Sequence, residues 1–167
     1  MEQRFIATID QGTTGTRFAV FNKDGTIAAY KYMDHRQIYP KPGWVEHDPL
    51  EIWQKTQRII KETLENSRIE PDEIAAIGVT NQRETTAVWN PLTGKPYCNA
   101  VVWQCTRTRK ICQELKEKGL EPLIRSKTGL YIYTYFSGPK IKWILDNAPN
   151  VSEAAEKNRA VFGNMDT

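Results

Sequence analysis

The opening of the chain constrains the fold most. An apolar run at residues 4–9 leads into Asp10-Gln11-Gly12-Thr13-Thr14-Gly15-Thr16-Arg17, and a second apolar run follows at residues 18–21. Two strands joined by a tight turn account for this pattern. Asn22-Lys23-Asp24-Gly25 then supplies an Asp-Gly turn, so residues 26–34 are expected to return as a third antiparallel strand. The first turn is built from small residues. Gly12 and Gly15 are suited to positive φ and to close backbone approach, and Thr13, Thr14 and Thr16 add hydroxyl donors. Backbone N–H groups in such a turn form an anion nest, Asp10 is placed to hold a hydrated magnesium ion, and Arg17 brings a fixed positive charge. From this loop alone, a phosphate-binding loop and an ordinary hairpin turn are equally good readings. The spacing matches neither the Gly-Lys-Ser/Thr ending of a P-loop nor GxGxxG.

Downstream, one helix, three strands and a run of helices follow, and the expected fold is an α/β domain with a mixed sheet flanked by helices. A Pro/Gly-rich loop at residues 38–46 precedes the clearest helix start. Asp48 is the cap, Pro49 occupies the first helical position and Glu51 makes an approximate capping box. Leu50, Trp53, Ile60 and Leu64 recur at helical spacing and are expected to form the stripe facing the sheet. Residues 74–80 are an unbroken apolar run, the signature of a strand covered on both faces. Further strands are expected at 85–89 and 99–103. Helices are expected at 106–118, 121–127, 138–147 and near 152–158, with an apolar run at 160–162 approaching another strand.

The net charge of +3 on 167 residues is small and dispersed, which argues against a nucleic-acid partner. The basic group Arg107-Thr108-Arg109-Lys110 reads as a solvated helix face. No stretch approaches the roughly 18 apolar residues of a membrane span, and the chain begins directly with a strand-like segment, so a cytoplasmic protein is expected. Cys98, Cys105 and Cys112 fit no CxxC zinc pattern and no disulfide framework and read as reduced thiols. His35 and His47 add no ligand cluster.

Arg83 and Glu84 lie just after the apolar run, where a bend would aim both into one pocket. A carboxylate accepts from hydroxyls and a guanidinium donates to oxygens, so the pair suits two neighbouring hydroxyls of a small polyol. A surface ion pair is the simpler alternative. Trp103 suits either an apolar wall against a carbon chain or a core position, and Tyr135 is a candidate hydroxyl contact.

Taken together, several segments resemble the glycerol kinases, members of the sugar-kinase family that shares the actin and hexokinase (ribonuclease-H-like) fold. They are Asp10-Gln11-Gly12-Thr13-Thr14, residues 37–49, residues 80–86, Val102-Trp103-Gln104-Cys105 and Tyr135-Phe136-Ser137-Gly138. The resemblance runs in order through to Phe162-Gly163. It implies ATP- and magnesium-dependent transfer of a phosphoryl group to glycerol, giving glycerol 3-phosphate. It also implies that Arg83, Glu84, Trp103 and Tyr135 contact glycerol, that Thr13, Thr14, Gly15 and Arg17 face the phosphates, and that Asp10 lies near the metal. A full-length protein of this kind is compatible with a homo-oligomer.

Three positions depart from the family's pattern. Gly15-Thr16 stands where Ser-Ser or Ser-Thr is frequent, Thr106 where a basic residue is usual, and Tyr133-Thr134 where Asp-Pro is frequent. The family's proton-accepting aspartate and its adenine-binding domain fall beyond residue 167. Residues 1–167 are therefore expected to be an N-terminal actin-like domain, incomplete at its C-terminus, that carries no general base and is inactive alone. A kinase for another polyol or a ketose, and a non-enzymatic ligand-binding module, are the alternatives.

Overall fold

The computed structural model describes residues 4–167, which gather into two compact units. The first takes the chain up to Arg36 together with Asp48–Gln82 and Met165–Thr167, and the second takes Gln37–His47 and Arg83–Asn164.

The first unit is built on a four-stranded mixed sheet in the order β3-β2-β1-β5. Strands β1 (Phe5–Gln11), β2 (Gly15–Phe21) and β3 (Ile27–Asp34) form a meander in which β2 pairs antiparallel with both β1 and β3, as the turn signals predict. Strand β5 (Ile74–Asn81) runs parallel to β1. Parallel pairing needs a crossover, and helix α1 (Pro49–Ser67) lies on that path. Ala7, Phe18 and Val20 from the sheet close on Ile59 of α1 and on Ile69 to make the core.

Helix α1 begins as expected at Asp48, whose side chain accepts from the backbone N–H groups of Leu50 and Glu51. The capping box is not completed. Glu51 instead accepts from the Arg36 backbone at 3.0 Å and from Lys55 at 2.7 Å. The buried stripe also differs from the expected one. Ile52, Thr56, Ile59 and Thr63 face inward, Ile60 and Leu64 only flank the core, and Leu50 and Trp53 are exposed. The two threonines escape a hydropathy-based reading because each hides its hydroxyl locally. Thr56 donates to the Ile52 carbonyl at 2.8 Å and Thr63 to the Ile59 carbonyl at 2.6 Å.

Strand β5 corrects a second expectation. It is an edge strand, with Ile77 52% and Val79 55% exposed, so its apolar run is not covered on both faces among the described residues.

The second unit carries two short antiparallel ladders, β4 (Glu46–His47) with β7 (Ala100–Val101) and β6 (Ala87–Trp89) with β8 (Val161–Gly163). The strands expected at 85–89 and 99–103 thus survive as shorter pieces, bridged by Thr86 and Val101. Helices α2 (Arg109–Glu117), α3 (Glu121–Thr128), α4 (Ser137–Asn147) and α5 (Val151–Glu156) complete the unit. Val88, Val101, Cys105, Ile144 and Val151 form the core. The three cysteines are free thiols, as expected.

Arg107 overturns the solvated-face reading of its basic group. It precedes α2, its side chain is only 2% exposed, and it is paired to Glu46 at 2.7 Å. Its guanidinium also lies over the rings of Trp44 and Trp143, at 4.0 and 4.6 Å. A planar cation with an apolar face can be buried in this way where an ammonium would be poorly matched. Arg109 and Lys110 are exposed as expected.

Candidate functional site

In the first unit, the turn between β1 and β2 places Asp10 opposite Arg17 and Gln11 opposite Thr16 in the strand register. Asp10 Oδ2 accepts from Arg17 at 2.8 Å, and this pairing reinforces the positive charge on the exposed guanidinium. Thr13 and Thr14 sit at the tip. The Thr14 hydroxyl shares a hydrogen bond with the Tyr32 hydroxyl at 3.1 Å, and the Thr14 carbonyl accepts from the His35 backbone at 3.2 Å. Burial pushes the His35 pKa down, opposed by a hydrogen bond to the Thr13 backbone. The tip is therefore braced from β3 and the residue after it.

Three details of the loop differ from the sequence reading. Neither Gly12 nor Gly15 is among the residues with positive φ. Their smallness serves close approach instead: a Cβ on Gly12 would lie 2.9 Å from the Gly15 carbonyl, and one on Gly15 would lie 2.5 Å from the Met33 carbonyl and 2.6 Å from the Tyr32 ring. The Gly12 N–H is already bonded to the Gly15 carbonyl at 3.0 Å, so it is not part of an open nest. Thr16 also turns inward. Its hydroxyl donates to Gln11 Oε1 at 2.6 Å, and Gln11 Nε2 donates to the Thr56 hydroxyl at 2.6 Å. This buried polar chain fixes the stem of the loop to α1 and leaves Thr13, Thr14 and Arg17 as its outward-facing chemistry.

In the second unit, Glu84 adopts φ of 62°, a left-handed conformation that is costly for a residue with a Cβ and that concentrates at functional sites. The bend directs its carboxylate to the start of α4. Glu84 Oε2 accepts from the Ser137 backbone N–H at 2.7 Å and from the Ser137 hydroxyl at 2.6 Å. A negative charge at a helix N-terminus is favoured by the unsatisfied N–H groups and the macrodipole. A carboxylate has about four acceptor sites, so two bonds from Ser137 leave capacity for hydroxyl donors.

Thr85 and Thr86 behind Glu84 are fully buried, and the Thr85 hydroxyl accepts from the Trp103 backbone at 3.2 Å. The Trp103 ring meets Tyr135 at 5.7 Å in an edge-on arrangement, and Tyr135 meets Phe136 at 5.2 Å in the same manner. Glu84 and Tyr135 are thus tied to neighbouring parts of one segment, Tyr135-Phe136-Ser137, with Trp103 against it. Arg83, next to the bend, is exposed. Thr106 donates to the Gly43 carbonyl through its backbone N–H at 2.9 Å and its hydroxyl at 3.0 Å.

Sequence reasoning missed Ser137, Lys140, Tyr32 and Gln11. A serine opening a helical pattern was a readable signal for Ser137. The other three act through contacts distant in sequence or through burial of a polar group, which no local pattern announces. Among the described residues no group of three or more His, Cys, Asp or Glu side chains is placed to hold a metal ion, so any metal here takes most of its ligands from elsewhere. No helix of the described residues is long and apolar enough to cross a membrane.

Comparison with known proteins places these features in context. The model of the N-terminal domain of the FGGY family of carbohydrate kinases matches residues 5–165. Glycerol kinase of Shewanella amazonensis is 54% identical over 167 residues, which is all of this chain and 34% of that protein. Glycerol kinase 2 of Thermotoga maritima is 55% identical over 98% of this chain and 33% of its own. The crystal structure of Plasmodium falciparum glycerol kinase with ADP superposes with a TM-score of 0.90 at 36% identity, covering 99% of this chain and 33% of that one. The chain therefore spans about a third of the length of the relatives it matches.

Proposed function

The chain belongs to the FGGY family of carbohydrate kinases, and from that premise we propose that it is the N-terminal domain of an ATP-dependent glycerol kinase, supplying the glycerol pocket and part of the phosphate site. The observation that carries this reading is the convergence of Glu84, Trp103 and Tyr135 on the segment that starts α4. A carboxylate able to accept from hydroxyls, an indole face and a phenol beside it suit a short polyol, whose carbons need an apolar wall and whose oxygens need directed partners. Arg83 supplies a donor beside the carboxylate. Glu84 and Arg83 hold the glycerol hydroxyls, Trp103 covers the carbon chain, and Tyr135 orients the bound molecule.

Phosphoryl transfer requires mainly positioning and neutralisation of charge. Thr13 and Thr14 at the tip of the loop and the Arg17 guanidinium are the groups of this chain that face the nucleotide phosphates, while Gly15, expected beside them, is buried with its carbonyl accepting from the Gly12 N–H and acts by holding the turn closed. Asp10, a single carboxylate with Oδ2 engaged by Arg17, would hold magnesium only through water, and the ion would supply charge neutralisation there. The base that takes the proton from the glycerol hydroxyl and the adenine site belong to the part of the relatives' length not spanned here. The working enzyme is cytoplasmic.

The test is a coupled phosphorylation assay on the full-length protein with a panel of glycerol, longer polyols and ketoses, run beside the isolated 167-residue chain. The expected result is selective turnover of glycerol by the full-length protein and none by the isolated chain. Preference for a ketose or a longer polyol would overturn the substrate, and turnover by the isolated chain would overturn the division of labour.

A further inference from the structure

We propose that Lys140 is a positioning residue for the polyol: its buried ammonium gathers the carbonyl oxygens of Thr134, Tyr135 and Phe136, and so sets where the Tyr135 ring stands beside Trp103. The inference rests on the reading of Glu84, Trp103 and Tyr135 as polyol contacts.

Lys140 is completely buried, a rare placement for a lysine, and it sits in the first turns of α4. Both features need compensation. A cation near a helix N-terminus opposes the macrodipole, and a buried ammonium loses its hydration. The compensation is the loop just ahead of the helix. Nζ donates to the Thr134 carbonyl at 2.9 Å, to the Phe136 carbonyl at 3.1 Å, and to the Tyr135 carbonyl between them. Three ammonium donors meet three acceptors, so the group is fully satisfied. A helical side chain leans toward the N-terminus, which is why a lysine at this position reaches back over its own helix start.

Three successive carbonyls turned to one point are held there by the ammonium they share, which sets the shape of the loop at the entry to α4. That loop presents Tyr135, and its next residue, Ser137, holds Glu84. The first turn of α4 thus organises two of the proposed polyol contacts. It holds Glu84 through N–H and hydroxyl donors and Tyr135 through a cation on carbonyls. Burial draws the Lys140 pKa down to about 8, with the charge of Glu84 acting against that fall ahead of Cys105 and Cys112. Thr134 opens this clamped segment, and its carbonyl is held by Lys140.

The experiment uses the full-length protein and the variants Lys140→Met and Lys140→Gln, alone and combined with Tyr135→Ala. Glycerol KM, ATP KM and kcat are measured beside the melting temperature. The expected result is a rise in glycerol KM of at least tenfold for Lys140→Met, a smaller rise for Lys140→Gln, and ATP KM within twofold of wild type. In the Tyr135→Ala background the Lys140→Gln effect should largely vanish, because the clamp acts through Tyr135. Lys140→Gln keeps the proposal testable if Lys140→Met does not fold. An unchanged glycerol KM in folded variants, effects additive with Tyr135→Ala, or equal rises in both KM values would overturn the clamp alone. A wild-type protein active on other substrates but not on glycerol would overturn the reading of the site and the clamp with it.

Discussion

Glu84 Oε2 accepts two hydrogen bonds from one residue, the backbone N–H of Ser137 at 2.7 Å and its hydroxyl at 2.6 Å. The candidate polyol carboxylate is therefore aimed by the helix start and not by its own rotamer alone. Removing the hydroxyl leaves the N–H bond and frees the carboxylate to swing. A hydrogen bond to a charged group contributes about 1.5–3 kcal/mol, part of which the remaining bond retains. Ser137→Ala is expected to raise glycerol KM in the full-length protein by about tenfold, or ~1.4 kcal/mol, with ATP KM nearly unchanged. Steady-state kinetics with each substrate varied in turn checks this, and an unaltered glycerol KM would remove Ser137 from the site.

Gly15 is expected to resist replacement by serine. The Tyr32 ring and the Met33 carbonyl occupy the volume of a side chain there. Overpacking of this kind costs about 1–3 kcal/mol, so Gly15→Ser should lower the denaturation midpoint. Adding Tyr32→Ser should recover part of the loss but not all, because the Met33 carbonyl remains. Urea unfolding of the single and double variants separates the two contributions.

Arg107 is expected to be the most sensitive surface-like charge in the sequence. Removing one partner of a buried ion pair strands the other, at a cost of about 3–5 kcal/mol. Arg107→Ala should approach that loss, since it removes the cation at Glu46 Oε1 and leaves the neutral Asn99 amide on Oε2 at 2.9 Å. Lys110→Ala, three residues on and exposed, should change stability by less than about 0.5 kcal/mol. Chemical denaturation of both variants provides the contrast.

Acid should remove the stabilising contribution of the surface ion pairs that Glu62 of α1 makes with Arg58 and with Lys31 of β3. The Arg58 and Lys31 cations hold the Glu62 carboxyl down at about 2, against an ordinary value of 4.5. The folded state then binds the proton less readily than the unfolded state. The contribution is complete above about pH 4.5 and is lost as pH falls toward 2. Glu62→Gln should flatten that part of the melting-temperature profile and leave the shape near neutral pH unaltered. A wild-type profile already flat between pH 4.5 and 2 would contradict the assignment.

The opening three strands, the Asp48 start of α1 and most later helices were legible in the sequence because turn and cap chemistry acts over a few residues. The site residues were legible only as types and as a resemblance. Arg83 and Glu84 as neighbours do not reveal that Glu84 turns through φ of 62° to meet Ser137. The errors share one physical origin. Thr56 and Thr63 are buried although polar, Arg107 is buried although charged, and Val79 is exposed although apolar. In each case the deciding factor is a partner, or its lack, across the fold.

By itself, then, the sequence determined the strand meander, the small-residue loop with Asp10 and Arg17 at its ends, and membership in a family of kinases, since these depend on local backbone chemistry and on the order of motifs. Only the tertiary structure decided that Gly15 is small to admit Tyr32, that Thr16 braces the loop through Gln11 and Thr56, and that Lys140 is buried under the loop carrying Tyr135. A buried polar group is stable only where acceptors or donors converge on it, and that convergence is a property of packed chain segments, not of their spacing along the sequence.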